Sequence, residues 1–344
     1  MQAPYTLDRR QMFLAVVSSL YVSRVFAAPT RSTAAGAQFT DPILREQLPK
    51  WSDANRATLL QALSPENGGR IDAQTAAQLA SATGGSIDAL MTQLLSVITK
   101  YARPPISHFY VGALVRGKSG ALYAGANLEV PGNGLNQTIH GEQSAVANAF
   151  NHGETGIDTL AAGASTAVAE APCGHCRQFL YELDGAADLR ILLTGKPART
   201  LKDLLPDAFG PADLQQTEAI FASKPHALRL PPGSGGPLVA AALDAAVRSY
   251  APYSKSPSGC AIQTKAATIV SGSYLENAAF NPSLAPLQSA LVALVMRQEA
   301  FANIARVVLV ESSGRTISHA AETRMVVAAL APRARLDVVT ARLT

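Results

Sequence analysis

Thr138-Ile139-His140-Gly141-Glu142-Gln143-Ser144-Ala145 and, further on, Ala171-Pro172-Cys173-Gly174-His175-Cys176 hold between them one imidazole from the first piece, one carboxylate and two closely spaced thiols. Cys173 and Cys176, at i and i+3, share one face at the start of a helix, whose unpaired N–H groups and dipole favour thiolates. A neutral imidazole from His140, at the head of a different helix, completes three protein ligands and leaves the fourth tetrahedral position for water. That open position marks a catalytic zinc rather than a structural one. Two thiolates cancel the charge of the ion and make it less acidic than an all-histidine site, so a nearby base is needed. Glu142 fits that task, because two residues along a helix turn about 200° away from His140 and discourage chelation of the same ion. A carboxylate there can take up and return protons during a reaction.

The flanking segments place these pieces in an alternating fold. Ser86 begins an amphipathic helix with Leu90, Leu94, Leu95 and Ile98 on its apolar side, ending before Arg103-Pro104-Pro105. Phe109 to Arg116 and Ala121 to Glu129 read as paired strands around the turn Gly117-Lys118-Ser119-Gly120, with Phe109 and Asn127 to Glu129 at strand ends. A loop from Pro131 to Gln137 leads into the helix that begins near His140. Ser165 to Ala169 is expected as a buried strand, Cys173 to Leu183 as a helix and Leu189 to Leu193 as a strand, which is the order of an α/β layered fold. Upstream, Asp41 to Gly85 reads as short helices. Ser52 or Asp53 caps one of them, and Asp72 caps Ala73 to Ala82.

The chain also repeats itself. A shift of 147 positions lays Pro105, Ser107, Gly112, Gly125, Leu128 and Glu129 on Pro252, Ser254, Gly259, Gly272, Leu275 and Glu276. With two residues fewer in the next loop, Gln143-Ser144-Ala145 falls on Gln288-Ser289-Ala290. The second copy has lost the metal set: Ala285 stands opposite His140, Leu287 opposite Glu142, and no Pro-Cys-x-x-Cys follows. Pro231-Pro232-Gly233-Ser234-Gly235-Gly236-Pro237 is the clearest linker and precedes that copy.

Composition bounds what the two copies can do. With 344 residues, 48% hydrophobic and 16% charged, the chain can bury a sizeable core in two or three compact units. A formal charge of +4 and the lack of a dense Lys/Arg run interleaved with aromatics give nucleic-acid binding little support. Three cysteines cannot build a disulfide framework, and two of them sit three apart, which points to a reducing, cytoplasmic setting. Asp8-Arg9-Arg10 before the apolar run Met12 to Val22 has the outline of a signal segment, but Arg24 interrupts it and the run is too short to span a bilayer. An export signal, an unstructured extension and a misassigned start remain the alternatives for residues 1–39. No other stretch is long and apolar enough to be a membrane span.

His-x-Glu followed by Pro-Cys-x-x-Cys is the signature of zinc-dependent nucleobase deaminases. More closely, the chain resembles the two-domain, homodimeric cytidine deaminases of bacterial and plant type. The likeness rests on Ser107-x-Phe109-x-Val111-Gly112-Ala113, Gly125-Ala126-Asn127-x-Glu129, Gln137-Thr138-x-His140-x-Glu142-Gln143-Ser144-Ala145, Pro172 to Phe179 and Leu204 to Pro211. Pro252 to Gly259 and Glu276 to Pro282 extend it into the second copy, so that it runs from about residue 40 to the C-terminus.

This resemblance implies a three-layer αβα deaminase-like domain with a mixed sheet, duplicated into one active and one degenerate copy, behind a small N-terminal helical segment. It implies domains at 86–213 and 238–344, joined by a linker over 214–237, with the helical segment at 40–85. It implies one Zn2+ per subunit held by His140, Cys173 and Cys176, with Glu142 catalytic, and hydrolysis of cytidine and 2′-deoxycytidine in pyrimidine salvage. Asn127 and Glu129 would hold the ribose 3′-hydroxyl, Phe109 would pack on the pyrimidine, the Gly141 N–H would bind the 2-oxo group and the Ala171 carbonyl would face the exocyclic amine. The degenerate copy would line the partner's active site in a homodimer, with Phe280 as the contact. The family more often has alanine at position 141, and the extra residues around Thr155 to Ser165 are expected as an inserted loop.

Two other readings compete with it. One is deamination of a nucleotide or of cytosine within a polynucleotide; Glu129 speaks against the latter, because its carboxylate would repel a phosphate on the 3′-hydroxyl. A non-enzymatic, zinc-stabilised dimerisation module would need a fourth ligand and no general base. Read on their own, His175 is a packing neighbour of the metal set rather than a ligand, Cys260 is a core thiol, and His108, His152, His226 and His319 are surface or satisfied core residues.

Overall fold

Ser52, Asp72 and Ser86 each stand one residue before a helix, and each side chain accepts a backbone N–H three residues on, from Asn55, Thr75 and Ala89. Such caps satisfy donors that a helix start leaves without intrahelical partners. In the computed structural model, which describes residues 39–164 and 171–344, a short α1 (Asp41–Gln47) precedes the three capped helices α2 (Asp53–Ala62), α3 (Ala73–Ala82) and α4 (Ile87–Ile98). Arg70–Ile71, between α2 and α3, forms β1, which adds these helices to the edge of the first sheet.

That sheet grows from the expected hairpin. β2 (Val111–Gly117) and β3 (Leu122–Ala126) pair antiparallel, with Gly112 opposite Ala126 and Arg116 opposite Leu122. After α5 (Gly141–Asn151) comes β4 (Ile157–Ala164), which runs antiparallel to β2; past α6 (Gly174–Leu180) comes β5 (Arg190–Leu192), parallel to β4. With the short edge β6 (Arg199–Thr200) the order is β1-β3-β2-β4-β5-β6, a mixed sheet. A four-residue α7 (Leu201–Leu204) follows.

The inserted loop expected around Thr155 to Ser165 is instead mostly the central strand. Ile157, Thr159, Leu160 and Ala161 are buried there, and the last three pair on both sides, because a run flanked by two strand partners satisfies its backbone in the sheet. The strand expected at Ser165 to Ala169 lies outside the described residues, as does most of the extension at 1–39.

The second copy repeats the pattern with β7 (Leu228–Arg229), α8 (Pro237–Arg248), β8 (Ser258–Thr264), β9 (Ile269–Ser273), α9 (Pro286–Met296), β10 (Ile304–Ser312), α10 (Ala320–Leu330) and β11 (Arg335–Leu343). Its sheet runs β7-β11-β10-β8-β9. β3-β2-β4-β5 and β9-β8-β10-β11 therefore match in order, and also in direction: antiparallel, antiparallel, parallel. Part of the stretch read as a linker, 214–237, is built into the fold. Ile220 is fully buried, and Leu228 pairs with Leu343, since an apolar side chain next to an open sheet edge gains from covering it.

Gly125 and Gly272 explain how close the layers lie. A Cβ on Gly125 would stand 2.1 Å from the Ala145 nitrogen, and one on Gly272 would stand 2.1 Å from the Ala290 nitrogen. The backbones of α5 and α9 thus rest directly on β3 and β9. On the other faces α4 covers β2 and β4, and α8 covers β8, which completes three layers in each copy. α5 and α9 also pack on each other, so α5 is buried on all sides from Gly141 to Phe150 and shows no polar face.

One tie reaches from the second copy to the first helices. Gln298 Nε2 donates to the Leu63 carbonyl at 2.6 Å, and the Phe39 N–H donates to Gln298 Oε1 at 3.4 Å. Among the described residues no helix is long and apolar enough to cross a membrane.

Candidate metal centre

Two helix starts face each other at the centre of the first copy. His140 is the N-cap of α5 and Cys173 the N-cap of α6, one helical turn from Cys176. Cys173 Sγ lies 3.5 Å from His140 Nδ1 and 3.5 Å from Cys176 Sγ. All three ligand atoms fall within 4.8 Å of one another, and no other such group of three occurs among the described residues. Tetrahedral ligands at about 2.3 Å (sulfur) and about 2.1 Å (nitrogen) from zinc stand on the order of 3.5–3.8 Å apart. The cluster therefore has the size and donor chemistry of a three-ligand zinc site, one turn from the sheet on which Gly125 seats α5.

The electrostatics agree. The thiol of Cys176, followed by His140, hydrogen-bonds to Cys173 and lowers its pKa to about 3, the direction that favours a thiolate ligand. The same contact, with burial, pushes Cys176 up. His140 is raised, first by its bond to Cys173. Glu142 is buried beside them, and burial raises its carboxyl. His175 stacks on His140 with ring centroids 5.1 Å apart and lies outside the ligand cluster, as a packing neighbour would.

The strand ends bring further groups alongside. Leu128 and Ile139 exchange two backbone hydrogen bonds of 2.9 Å, which sets Asn127 and Glu129 next to the residue preceding His140. Asn127 accepts the Val111 N–H at 2.9 Å and donates to the Phe109 carbonyl at 2.8 Å. Glu129 accepts the Ile106 and Ser107 N–H groups at 2.7 and 3.0 Å and the Ser107 hydroxyl. Each keeps a free valence: one amide hydrogen on Asn127 and one lone-pair direction on Glu129. Gly141 is the first residue of α5, and a Cβ there would press on Val111 Cγ1 at 3.0 Å, so glycine leaves room for the branched neighbour. Phe109 and Ala171 are exposed, and Phe280 is 64% exposed on left-handed backbone with φ of 62°.

The second copy shows what the motif became. α10 follows β10 as α6 follows β4, and its N-cap is His319 with Glu322 three residues on. Those are the helix positions of Cys173 and Cys176. The imidazole Nδ1 lies 2.6 Å from Glu322 Oε1, the His319 N–H donates to Glu311 at 2.7 Å, and Tyr274 packs its ring edge-on at 4.3 Å. Ala285 is the N-cap of α9, where α5 has His140. His319 is thus buried and partnered at Nδ1, while its buried Nε2 has no hydrogen-bond partner. His152 and His226 bond to the carbonyls of Asn148 and Ser249, and Cys260 is fully buried in the core. Glu276 repeats the contacts of Glu129, accepting the Tyr253 and Ser254 N–H groups and the Ser254 hydroxyl.

Comparison with known proteins bears on the same residues. Residues 86–191 and residues 201–324 each match a family model described as a cytidine and deoxycytidylate deaminase zinc-binding region. A cytidine deaminase of Cronobacter sakazakii is 47% identical over 247 residues, which is 72% of this chain and 81% of that protein. One of Shewanella loihica is 44% identical over 260 residues, 76% of this chain and 85% of that protein. Among solved structures, the cytidine deaminase from Mycobacterium tuberculosis is 31% identical over 36% of this chain and 96% of that chain, with a TM-score of 0.33.

Proposed function

The chain belongs to the cytidine deaminase family, and on that premise we propose that it hydrolyses cytidine and 2′-deoxycytidine to the uridines with release of ammonia, a step of pyrimidine salvage. The observation that carries this reading is the convergence of His140, Cys173 and Cys176 beside a buried carboxyl, Glu142. The three ligands hold one zinc ion per chain. Bound zinc supplies the Lewis acidity that makes water a nucleophile near neutral pH.

Glu142 moves the protons. Burial raises its pKa, which makes the carboxylate a stronger base toward the attacking water and lets it hand the proton on to the ring nitrogen. The same carboxyl then supports departure of the exocyclic amine. The free amide hydrogen of Asn127 and the free lone pair of Glu129 meet the ribose 3′-hydroxyl. The exposed Phe109 ring packs on the pyrimidine, the Gly141 N–H binds the 2-oxo group, and the Ala171 carbonyl orients the amine.

The active form is a homodimer in the cytoplasm. A phenylalanine held outward on left-handed backbone, as Phe280 is, has a reason to be there if it enters a partner's pocket. The reduced thiols of the metal set suit a reducing compartment. The deciding experiment is a panel of cytidine, deoxycytidine, the 5′-monophosphate and single-stranded DNA, assayed with and without a zinc chelator. Chelator-sensitive turnover of the nucleosides is expected, and activity confined to the polynucleotide would sink the reading.

A further inference from the structure

Glu182 lies two residues beyond the end of α6 and is fully buried, at 0% exposure. Among the described residues no cation pairs with it. The side-chain and backbone groups that meet its carboxylate come instead from the second copy. Oε1 accepts the hydroxyls of Tyr250, at 2.7 Å, and Tyr253; Oε2 accepts Asn277 Nδ2 at 3.1 Å and the Ala278 N–H at 3.0 Å. Asn277 Nδ2 also donates to the Gln178 carbonyl at 2.9 Å, and the Ile220 N–H donates to the Glu182 carbonyl at 3.2 Å. Burial raises the Glu182 carboxyl, and the hydrogen bonds from Tyr253, Tyr250 and the Ala278 N–H work against that rise, although the Tyr250 hydroxyl also reaches the Glu218 carbonyl at 3.0 Å. Without them, burying it would be prohibitive.

The same helix begins at the metal centre. Cys176 and Glu182 are six residues apart, about 9 Å at helical rise. Contacts with its own copy hold the near part of α6: Arg177 donates to the Pro172 and Leu204 carbonyls at 2.6 and 2.8 Å, and Gln178 donates to the Phe209 carbonyl at 2.7 Å. At the far end Phe179, Leu180 and Leu183 are buried in the core, and the hydrogen bonds that reach it from outside its own copy's layers end on Glu182. A helix of seven residues transmits a tilt at one end to the other, and metal ligands tolerate about 0.5 Å of misplacement.

We propose that Glu182 is a positioning residue for the deaminase reaction: by locking the end of α6 into the second copy, it sets where Cys173 and Cys176 stand. The second copy is then a support for the metal centre of its own chain. This assignment rests on the reading of Cys173 and Cys176 as zinc ligands.

The test compares zinc-loaded wild type, Glu182→Gln and Tyr250→Phe for the rate of zinc release to a chromogenic chelator, for kcat and KM, and for melting temperature. Glu182→Gln turns an NH2 toward two of the four donors, so zinc release at least tenfold faster and kcat at least fivefold lower are expected, with KM within twofold. Tyr250→Phe removes one donor and should fall between the variant and wild type on the same measures. Zinc release and kcat within twofold of wild type in both variants, whatever happens to melting temperature, would show that Glu182 only stabilises the fold. If Glu182→Gln does not accumulate, Tyr250→Phe decides on the same criteria. A wild-type chain with neither zinc nor activity sinks the functional reading as well, whereas variants that match an active, zinc-loaded wild type sink this assignment alone.

Discussion

Gln143 and Gln288 hold the two copies together by the same exchange made twice. Gln143 Nε2 donates to the Pro282 carbonyl at 2.9 Å, and Gln288 Nε2 donates to the Gln137 carbonyl at 3.2 Å. Each side chain also accepts the N-cap N–H of its own helix, His140 at 3.3 Å and Ala285 at 2.8 Å. The glutamine that steadies the start of a helix therefore also reads the loop of the other copy, and both are buried.

Gln288→Ala leaves the Gln137 carbonyl and the Ala285 N–H without their partners. A loss of about 1–3 kcal/mol is expected from unfolding in denaturant, with zinc content unchanged. Gln143→Ala should lose as much stability and, because it also frees His140, should lower kcat. Equal kcat in both variants would separate Gln143 from the metal centre.

Glu142→Ala is expected to keep its zinc by elemental analysis while kcat falls by about 10²–10⁴. Near-normal turnover would overturn its role as proton carrier. Cys173→Ala should instead purify without zinc, because one thiolate and one imidazole make a weak site.

Glu129 and Glu276 form an internal control. Both clamp the same turn, but only Glu129 stands by the metal centre. Glu129→Gln and Glu276→Gln should lower melting temperature by similar amounts, while only Glu129→Gln raises KM for cytidine and raises relative tolerance of a 3′-phosphorylated substrate. Equal KM in the two variants would leave Glu129 with the turn alone.

Asp72 gives a pH signature far from the active site. The Thr75 N–H, followed by its hydroxyl, holds the Asp72 carboxyl below its ordinary value. A depressed folded value means that the stabilisation is present above the unfolded value of about 3.9 and is lost as pH falls through the lower folded one. Asp72→Ala should therefore melt about 1–4 °C lower at neutral pH, and the gap should close at the acid end of a melting series.

Much of this was legible because the deciding residues are short-range. His140, Glu142, Cys173 and Cys176 announce themselves by spacing, and Gly125 and Gly272 by repetition. Ile157 to Ala164 misled because its alanines and glycine carry little strand propensity, and only its place between β2 and β5 makes it a strand. Glu182, Gln143 and Gln288 were illegible for a related reason. The donors to the Glu182 carboxylate, and the carbonyls that Gln143 and Gln288 reach in the other copy, lie at least 68 residues away, and nothing local distinguishes a buried carboxylate or amide from a surface one.

Gln298 sets a timetable for synthesis. Its side chain bonds Leu63, 235 residues earlier, so the helices that leave the ribosome first are closed by a residue that emerges near the end. At about 5–20 residues per second, that leaves them open for on the order of ten to fifty seconds. During that interval Leu44, Leu59 and Leu63, all buried in the finished protein, depend on the first sheet or on chaperones for cover. A chain truncated before residue 298 would lack the bonds that tie Leu63 and Phe39 to the second copy.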